Sequence, residues 1–331
     1  MFGSAGLDIA EDRIATIDLS LLNILLKDQT TGKNIIWATT DYALLGEDYA
    51  PSKEILPPLI TKRCSKLIQP RIAKACGQQT QRTKDKAEVF TPAWVCNEQN
   101  NLIDEAWFDR KSVFNISEDH GWRIVKEKVI FPVERGRTWK DYVDARRLEI
   151  TCGEAPYLAS RYDAVSGEMI DLQARIGLLD RKLRIVNENT DDEAEWMKWT
   201  ERAFQSIYGY EYQGDNLLLA RENLLFTFID NMIFKLDREP TQQELRKIAT
   251  ILSWNLWQMD GLTNRVPCCN KQPHLYQASL FDMVEDDASD CLDFSASLFD
   301  LPEQPLCKIK DWRAKEIVEF SSLLKGRHNG K

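Results

Sequence analysis

Three acidic residues in the sequence each follow a short apolar run and precede a glycine by a few positions. They are Glu149, Glu211 and Asp260. A carboxylate at the end of a strand can accept hydrogen bonds from two neighbouring hydroxyl groups or from an amine. Open α/β sheets bind nucleotide-like ligands in this way, at the carboxyl ends of their strands. The sequence therefore predicts three strand ends side by side along one ligand-binding edge.

The first acid belongs to a strand, a turn and a candidate helix. Leu148 to Ile150 is a short apolar run, and residues 151–155 form a turn of mostly small residues that includes Gly153. The apolar spacing from Pro156 to Tyr162 predicts a helix directly after this turn. Small residues allow a ligand to approach the backbone, and a helix N-terminus offers free N–H groups. The alternative interpretation is a tight turn with no ligand.

The other two acids have clearer flanking elements. Residues 206–211 predict a strand that ends at Glu211, and the apolar pattern of 214–230 predicts a helix directly after it. Asp180, at the end of 176–179, is the competing candidate for the second acid. Glu211 is preferred because the following helix is far clearer there. Asp260 follows the apolar run 254–259, which itself comes after a helix predicted from Thr241.

Composition limits the classes of protein that the chain can belong to. Its 331 residues are 43% apolar and 29% charged, which is ordinary for a soluble protein of one large or two modest domains. We find no apolar run of about 18 residues and no signal-peptide pattern, so we predict a cytoplasmic protein with no membrane association. Eight scattered cysteines and three separated histidines predict reduced thiols and no metal site.

A basic stretch at residues 62–86 stands out because the chain as a whole carries a net charge of −9. It contains eight basic residues and one acidic residue, a net +7. This pattern is typical of a segment that contacts nucleic-acid phosphates. A solvated linker explains the same composition, and both interpretations remain open. After this stretch, Thr91 and Pro92 predict the capped start of a helix that continues to about Trp107.

The order of these motifs resembles the DNA amino-methyltransferases of restriction–modification systems, and most closely their modification subunits and adenine-specific enzymes. The resemblance covers roughly residues 85 to 262. It implies an α/β, Rossmann-like methyltransferase fold with a mostly parallel sheet that binds S-adenosylmethionine. Phe90, Thr91 and Pro92 would pack on the methionine part of this cofactor. Glu211 would bind the ribose, and Asp260 would accept from the adenine amino group. The residues that resemble the family's acid-Pro-Ala-Cys turn are Glu149, Cys152, Gly153, Pro156, Tyr157 and Leu158. The resemblance implies that Glu149, Thr151, Cys152 and Gly153 of this turn bind the cofactor.

The sequence departs from that family in three ways. Ile150 stands in place of the usual proline, and the interval from the first turn to Glu211 is about twice the usual length. The family's catalytic signature, an Asn, Asp or Ser followed by Pro-Pro and an aromatic residue, is not found. Its acceptor atoms would hold the target amine while the aromatic ring stacks on the flipped base. Pro57-Pro58 lies between leucines and offers neither group. Asp311-Trp312 is a possible substitute, but the surrounding pattern predicts a β-hairpin.

Three regions follow from these patterns. Residues 1–87 form a helical and irregular N-terminal region that contains the basic stretch, 88–262 form the cofactor-binding core, and 263–331 form an insertion loop and a hairpin-like segment. The expected function is transfer of a methyl group from S-adenosylmethionine to adenine in double-stranded DNA, together with a specificity or restriction subunit. A non-catalytic DNA-binding subunit with the same pocket is the alternative. Methylation of RNA or protein is less favoured, because the resemblance is to DNA enzymes.

Overall fold

The computed structural model describes residues 11–74, 91–132, 136–267 and 304–325. Phe90, the basic residues after Lys74 and residues 268–303 of the predicted insertion loop (263–305) lie outside these ranges. The helices are α1 (Glu11–Ile17), α2 (Leu19–Leu26), α3 (Pro57–Ile60), α4 (Ala93–Phe108), α5 (Trp139–Asp144), α6 (Leu178–Asn189), α7 (Glu193–Gln205), α8 (Gly214–Leu236), α9 (Gln242–Asn255) and α10 (Phe320–Lys325). The strands are β1 (Asn115–Glu118), β2 (Gly121–Ile124), β3 (Arg147–Glu149), β4 (Ile207–Glu211), β5 (Leu256–Gln258), β6 (Lys308–Asp311) and β7 (Glu316–Glu319).

A three-stranded parallel sheet lies at the centre of the fold. Its strands are in the spatial order β3-β4-β5, which is also their order in the chain. Glu149 is in register with Gly209, and Glu211 is in register with Gln258. The prediction of an α/β protein with parallel strands is confirmed. The prediction that the three strands end side by side at one edge is confirmed as well.

Different elements cover the two faces of the sheet. Side chains of α7, α8 and α9 pack on one face, where Ile207 and Leu256 are buried in the main hydrophobic core. On the other face Tyr208 and Trp257 pack against Phe320 and the hairpin of β6 and β7. The hairpin predicted around residues 308–319 is therefore confirmed.

The helices on either side of the second and third strands agree with the sequence patterns. α8 follows β4 directly and is buried along most of its length, because its apolar and polar residues alike pack against neighbouring elements. α9 begins at the predicted capping box, in which Thr241 and Glu244 bind each other's backbone amides. The long interval before Glu211 is occupied by two helices, α6 and α7, which accounts for its length.

The prediction of a helix directly after the first turn is wrong. Residues 156–162 form turns, and the first helix after β3 is α6. The carbonyls of Tyr157 and Leu158 accept from the amides of Leu178 and Leu179, so they do not accept from the i+4 amides that a helix starting here would require. Asp180, the competing candidate for a strand-end acid, instead lies in the first turn of α6 and accepts from the Gly177 amide.

The N-terminal residues form two short helices and an extended segment. Residues 34–42 make isolated bridges, including Ile36 with Glu54, and no longer ladder within the described ranges. The described part of residues 109–145 contains the β1–β2 hairpin and α5. Among the described helices, none combines the length and the apolar character that crossing a bilayer requires.

Candidate functional site

The carboxylates at the ends of β3 and β4 hold one shared turn. Glu149 accepts from the amides of Tyr157 and Leu158 at 3.3 and 3.2 Å. Glu211 accepts from the amide of Gly153 at 2.9 Å and from the amide of Gln213 at 3.1 Å. The structure thus brings together two acids that are 62 positions apart in the sequence (211 − 149). Each carboxylate oxygen has a further lone pair, which leaves capacity to accept from a ligand hydroxyl.

The backbone of this turn is unusual. Thr151, Gly153 and Ala155 all have positive φ angles, of 45°, 52° and 62°. Glycine adopts this conformation without strain, but threonine, which is branched at Cβ, adopts it rarely. Strained backbone of this kind persists only where surrounding contacts fix it, and it is frequent at binding sites. The hydrogen bond from the Gly153 amide to Glu211 is one such contact.

A close approach between strand and turn depends on a glycine in β4. A Cβ atom at Gly209 would lie 2.8 Å from Leu256 Cδ2 and 3.2 Å from Cys152 Sγ. The absence of a side chain there lets Cys152 lie directly against the strand, where its amide donates to the Tyr210 carbonyl. Gly209 is therefore a residue that positions the turn, and its place within a β-strand is explained by that contact.

Burial changes the acid–base behaviour of the site. Desolvation, with a smaller contribution from the nearby Glu211, raises the pKa of Glu149 to about 8 against the opposing effect of its two amide donors. Desolvation also raises the pKa of Glu211. The Cys152 thiol has a raised pKa because it is buried and faces both carboxylates. It is thus an inert thiol, since a reactive cysteine requires a lowered pKa.

Thr91 and Pro92 lie beside the same turn. The Thr91 side chain lies close to that of Tyr157, whose amide is held by Glu149. α4 begins one residue later, and its first amide, at Ala93, donates to Asp163 at 2.6 Å. The prediction that Thr91 caps this helix is wrong, because Pro92 occupies the capping position and makes no side-chain bond. The contact nevertheless joins the segment before α4 to the candidate site.

Asp260, the third acid, lies two residues beyond β5. Its carboxylate accepts from the Leu262 amide at 2.9 Å, and its backbone is paired with Arg265. The side chain is partly exposed, unlike Glu149 and Glu211, which are 8% and 7% exposed. Asp260 therefore belongs to the same edge but to a separate turn.

N-terminal residues cover this edge of the sheet, which the sequence patterns did not indicate. The Gly214 amide at the start of α8 donates to the Trp37 carbonyl, and Gln258 binds both the N–H and the C=O of Ile36. A Cβ atom at Gly214 would lie 2.1 Å from the Ile36 carbonyl oxygen. The chain thus passes close over the end of β4. Residues so far apart in the sequence leave no local pattern when they meet, so the sequence analysis did not predict this contact.

The inner part of the basic stretch also reaches this edge. Lys74 forms a buried ion pair with Asp215 in the first turn of α8, at 3.4 Å, and Tyr42 donates to the same carboxylate. The Arg71 amide donates to Glu154 of the first turn. By contrast, Lys62, Arg63 and Lys66 are exposed. The described part of the stretch therefore has an outer portion open to solvent and an inner portion that binds the candidate site.

Asp311 and Trp312, the possible catalytic pair, lie at the opposite end of the sheet. Asp311 is bonded to Arg146 and to the backbone of its own hairpin turn. Trp312 donates to Asn255, whose side chain in turn donates to the carbonyl of Ile207, the first residue of β4. A group that acts on a ligand at the carboxyl ends of the strands cannot do so from the amino ends. The pair is explained by the hairpin.

Comparisons with known proteins do not identify a relative. No protein-family model matches the chain, and no curated protein or solved structure is significantly similar to it. Within the described residues, no group of three or more His, Cys, Asp or Glu side chains is placed to hold a metal ion.

Proposed function

We propose that the chain binds S-adenosylmethionine at the edge formed by Glu149, the 151–155 turn and Glu211. One observation carries this proposal: two buried carboxylates from neighbouring parallel strands bind the backbone of one short segment, Glu211 at Gly153 and Glu149 at residues 157–158. In α/β sheets this is the position at which a ribose and a charged ligand are held. Glu211 would accept from the ribose hydroxyls, and the backbone near Gly153 would contact the methionine part.

The resemblance in motif order extends this proposal to DNA adenine methylation within a restriction–modification system. Thr91, Glu149 and Glu211 are distant in the sequence, and their contacts to one turn agree with the roles that the resemblance implies. The exposed Lys62, Arg63 and Lys66 would contact DNA phosphates. The alternative is a non-catalytic subunit, which is favoured by the position of Asp311 and Trp312 at the wrong end of the sheet.

Titration calorimetry with S-adenosylmethionine and S-adenosylhomocysteine tests the cofactor proposal. Glu211→Ala should weaken binding by roughly 10- to 150-fold, because a hydrogen bond to a charged acceptor is worth about 1.5–3 kcal/mol. Glu168→Ala, which changes an exposed glutamate outside the site, is the matched control. Circular dichroism must show that both variants are folded. If the unaltered protein gives no binding heat with either ligand, the proposal is wrong.

Salt-dependent DNA binding tests the role of the outer basic residues. Replacing Lys62, Arg63 and Lys66 with serine should flatten the dependence of log affinity on log salt by about 0.9 for each phosphate that the variant no longer neutralises. Lys111, Lys126 and Lys128, also exposed, give a control with the same change in charge. Equal slopes for the two triple variants would mean that residues 62–66 are a solvated surface with no specific role.

A further inference from the structure

Residues 62–74, which we call the strap, begin at a surface that is open to solvent. Lys62, Arg63 and Lys66 are exposed there. Lys62 has a positive φ angle of 59°, a conformation that residues with a side chain adopt rarely. Its amide donates to the Asp12 carboxylate at 2.6 Å, and this bond holds the unusual backbone in place. The outer end of the strap is therefore fixed, although its cationic side chains are open to solvent.

The inner end of the strap binds the candidate site at two points. The Arg71 amide donates to the carboxylate of Glu154, in the 151–155 turn, at 2.6 Å. Lys74 forms an ion pair of 3.4 Å with Asp215 in the first turn of α8, and the two side chains are 7% and 0% exposed. Each acceptor thus belongs to the segment that directly follows one of the two strands of the site.

The ion pair between Lys74 and Asp215 acts on the site through charge as well as contact. Burial, with a smaller contribution from the charge of Asp215, raises the pKa of Glu211. The positive charge of Lys74 opposes this effect of Asp215. An ionised carboxylate can accept more hydrogen bonds than a protonated one. Lys74 therefore favours the form of Glu211 that the proposed ligand needs.

The middle of the strap is anchored in the protein. Ile68 is 1% exposed and belongs to the main hydrophobic core. Short 3₁₀ turns at Lys62–Cys64 and Arg71–Ala73 lie on either side of this anchor. The exposed cations and the buried ion pair are thus at most 12 positions apart (74 − 62) in a segment that is held along its length. Such a segment can relate the position of one end to that of the other, which a flexible linker does not.

We propose that the strap couples DNA binding to cofactor binding, so that each ligand raises the affinity for the other. This inference rests on the proposed function. A bound cofactor holds the 151–155 turn and the start of α8, which carry the acceptors of Arg71 and Lys74. The strap is then kept in one arrangement, and its exposed cations lose less conformational freedom when phosphates bind. Coupling between two binding equilibria is reciprocal, so the same factor applies in both directions.

The coupling is measured as a ratio of affinities in the full chain. Fluorescence anisotropy of a labelled mixed-sequence duplex gives the DNA affinity with and without saturating S-adenosylhomocysteine. Calorimetry gives the affinity for S-adenosylhomocysteine with and without the duplex. In the unaltered protein both affinities should rise by the same factor, at least about fivefold. A variant that weakens only DNA binding or only cofactor binding does not change this ratio.

Variants of Lys74 test the inner ion pair. Lys74→Met removes the charge and keeps most of the side-chain length, so the ratio should fall to within about twofold of one. Lys74→Arg keeps the positive charge and should retain most of the ratio. Lys53→Met is the matched control, because Lys53 pairs with Glu47 on the exposed surface outside the strap. It should leave the ratio unchanged.

Variants of Arg71 test the inner backbone bond without removing a buried charge pair. Arg71→Pro removes the N–H that donates to Glu154, and the extended backbone of Pro70 is compatible with a following proline. Arg71→Ala removes the same side chain and keeps the N–H. The ratio in Arg71→Pro should be lower than in Arg71→Ala by about threefold or more. Circular dichroism shows whether each variant is folded.

Four results would overturn the inference. They are a ratio of one in the unaltered protein, a ratio that both Lys74→Met and Arg71→Pro retain, a ratio as low in Lys74→Arg as in Lys74→Met, and an equal loss in Lys53→Met. If the unaltered chain gives no binding heat with the cofactor, the proposed function is refuted and the inference with it. The two failures are distinguishable, because cofactor binding is measured first without DNA.

Discussion

The two outer edges of the parallel sheet are treated in opposite ways. At β5 the outward carbonyls are occupied by side chains: Leu256 accepts from Arg221 at 2.6 and 3.0 Å, and Gln258 accepts from Cys307 at 3.3 Å. At β3 the outward groups of Leu148 meet no strand of the described residues. Because these two carbonyls already accept from Arg221 and Cys307, the outer edge of β5 is closed to a further strand.

The largest expected effect lies at the closed edge. Arg221 is fully buried, and it donates to carbonyls of α2 and Lys27 as well as to Leu256. Arg221→Met should lower the free energy of unfolding by at least about 3 kcal/mol, because several buried acceptors would then have no donor. Denaturant unfolding measures this decrease. Arg238→Met removes an arginine that pairs with Glu244 near the surface and should cost about 1 kcal/mol or less.

Equal decreases in the two arginine variants would contradict this assignment. The carbonyls of β5 would then be satisfied by solvent, and the closed edge would owe its stability to apolar packing alone.

The second expected effect is a dependence of stability on pH that originates at the end of the open strand. Because burial raises the pKa of Glu149 from 4.5 to about 8, the folded protein binds a proton that the unfolded chain releases. The free energy of unfolding should therefore fall as pH rises from about 5 to 8, by up to about 1.4 kcal/mol per pH unit. Gln258, at the end of the closed strand, contributes no such slope because it is neutral.

Glu149→Gln should flatten this slope, although it also weakens one of the two amide bonds to the turn. Denaturant unfolding at a series of pH values measures the slope in both proteins. A slope that persists in the variant would assign the titration to Glu211, whose pKa is also raised by burial.

The smallest expected effect is at Leu148. In the isolated chain Leu148→Ala should change the free energy of unfolding by less than about 1 kcal/mol, because the side chain is already half exposed. Leu256→Ala, in the closed strand, should lower it by about 2–5 kcal/mol, since Leu256 is buried in the main core. Thermal or denaturant unfolding compares the two leucines directly. A large decrease at Leu148 would show that its surface is already covered in the isolated protein.

Local patterns predicted the parallel strands and the acids that end them. β4 and β5 are short and mainly apolar, whereas β3 has one apolar residue, Leu148. The helices α8 and α9 have clear periodicity or a capping box, so neighbouring residues alone predict them. The turn after β3 could not be predicted in the same way. Its apolar spacing favours a helix, but the carbonyls of Tyr157 and Leu158 accept from Leu178 and Leu179, which lie 21 positions further along the chain (178 − 157), and no local pattern records that contact.

Local sequence patterns also could not predict that N-terminal residues cover the candidate site. Ile36 is 222 positions from Gln258 and 178 positions from Gly214 (214 − 36), and no sequence spacing records such a contact. The division of the basic stretch into an exposed outer portion and an inner portion that binds the site has the same cause. Lys74 meets Asp215 only because the N-terminal residues return to the start of α8.

The bond between Gln258 and Ile36 has a consequence for synthesis of the chain. Ile36 leaves the ribosome more than 200 residues before its partner. At about 5–20 residues per second the N-terminal segment waits on the order of 10 to 40 s for β5 to appear. During that interval the apolar residues of α2 and the segment around Trp37 have no native core to join. Chaperone dependence during translation should therefore be concentrated in the first 60 residues of this protein.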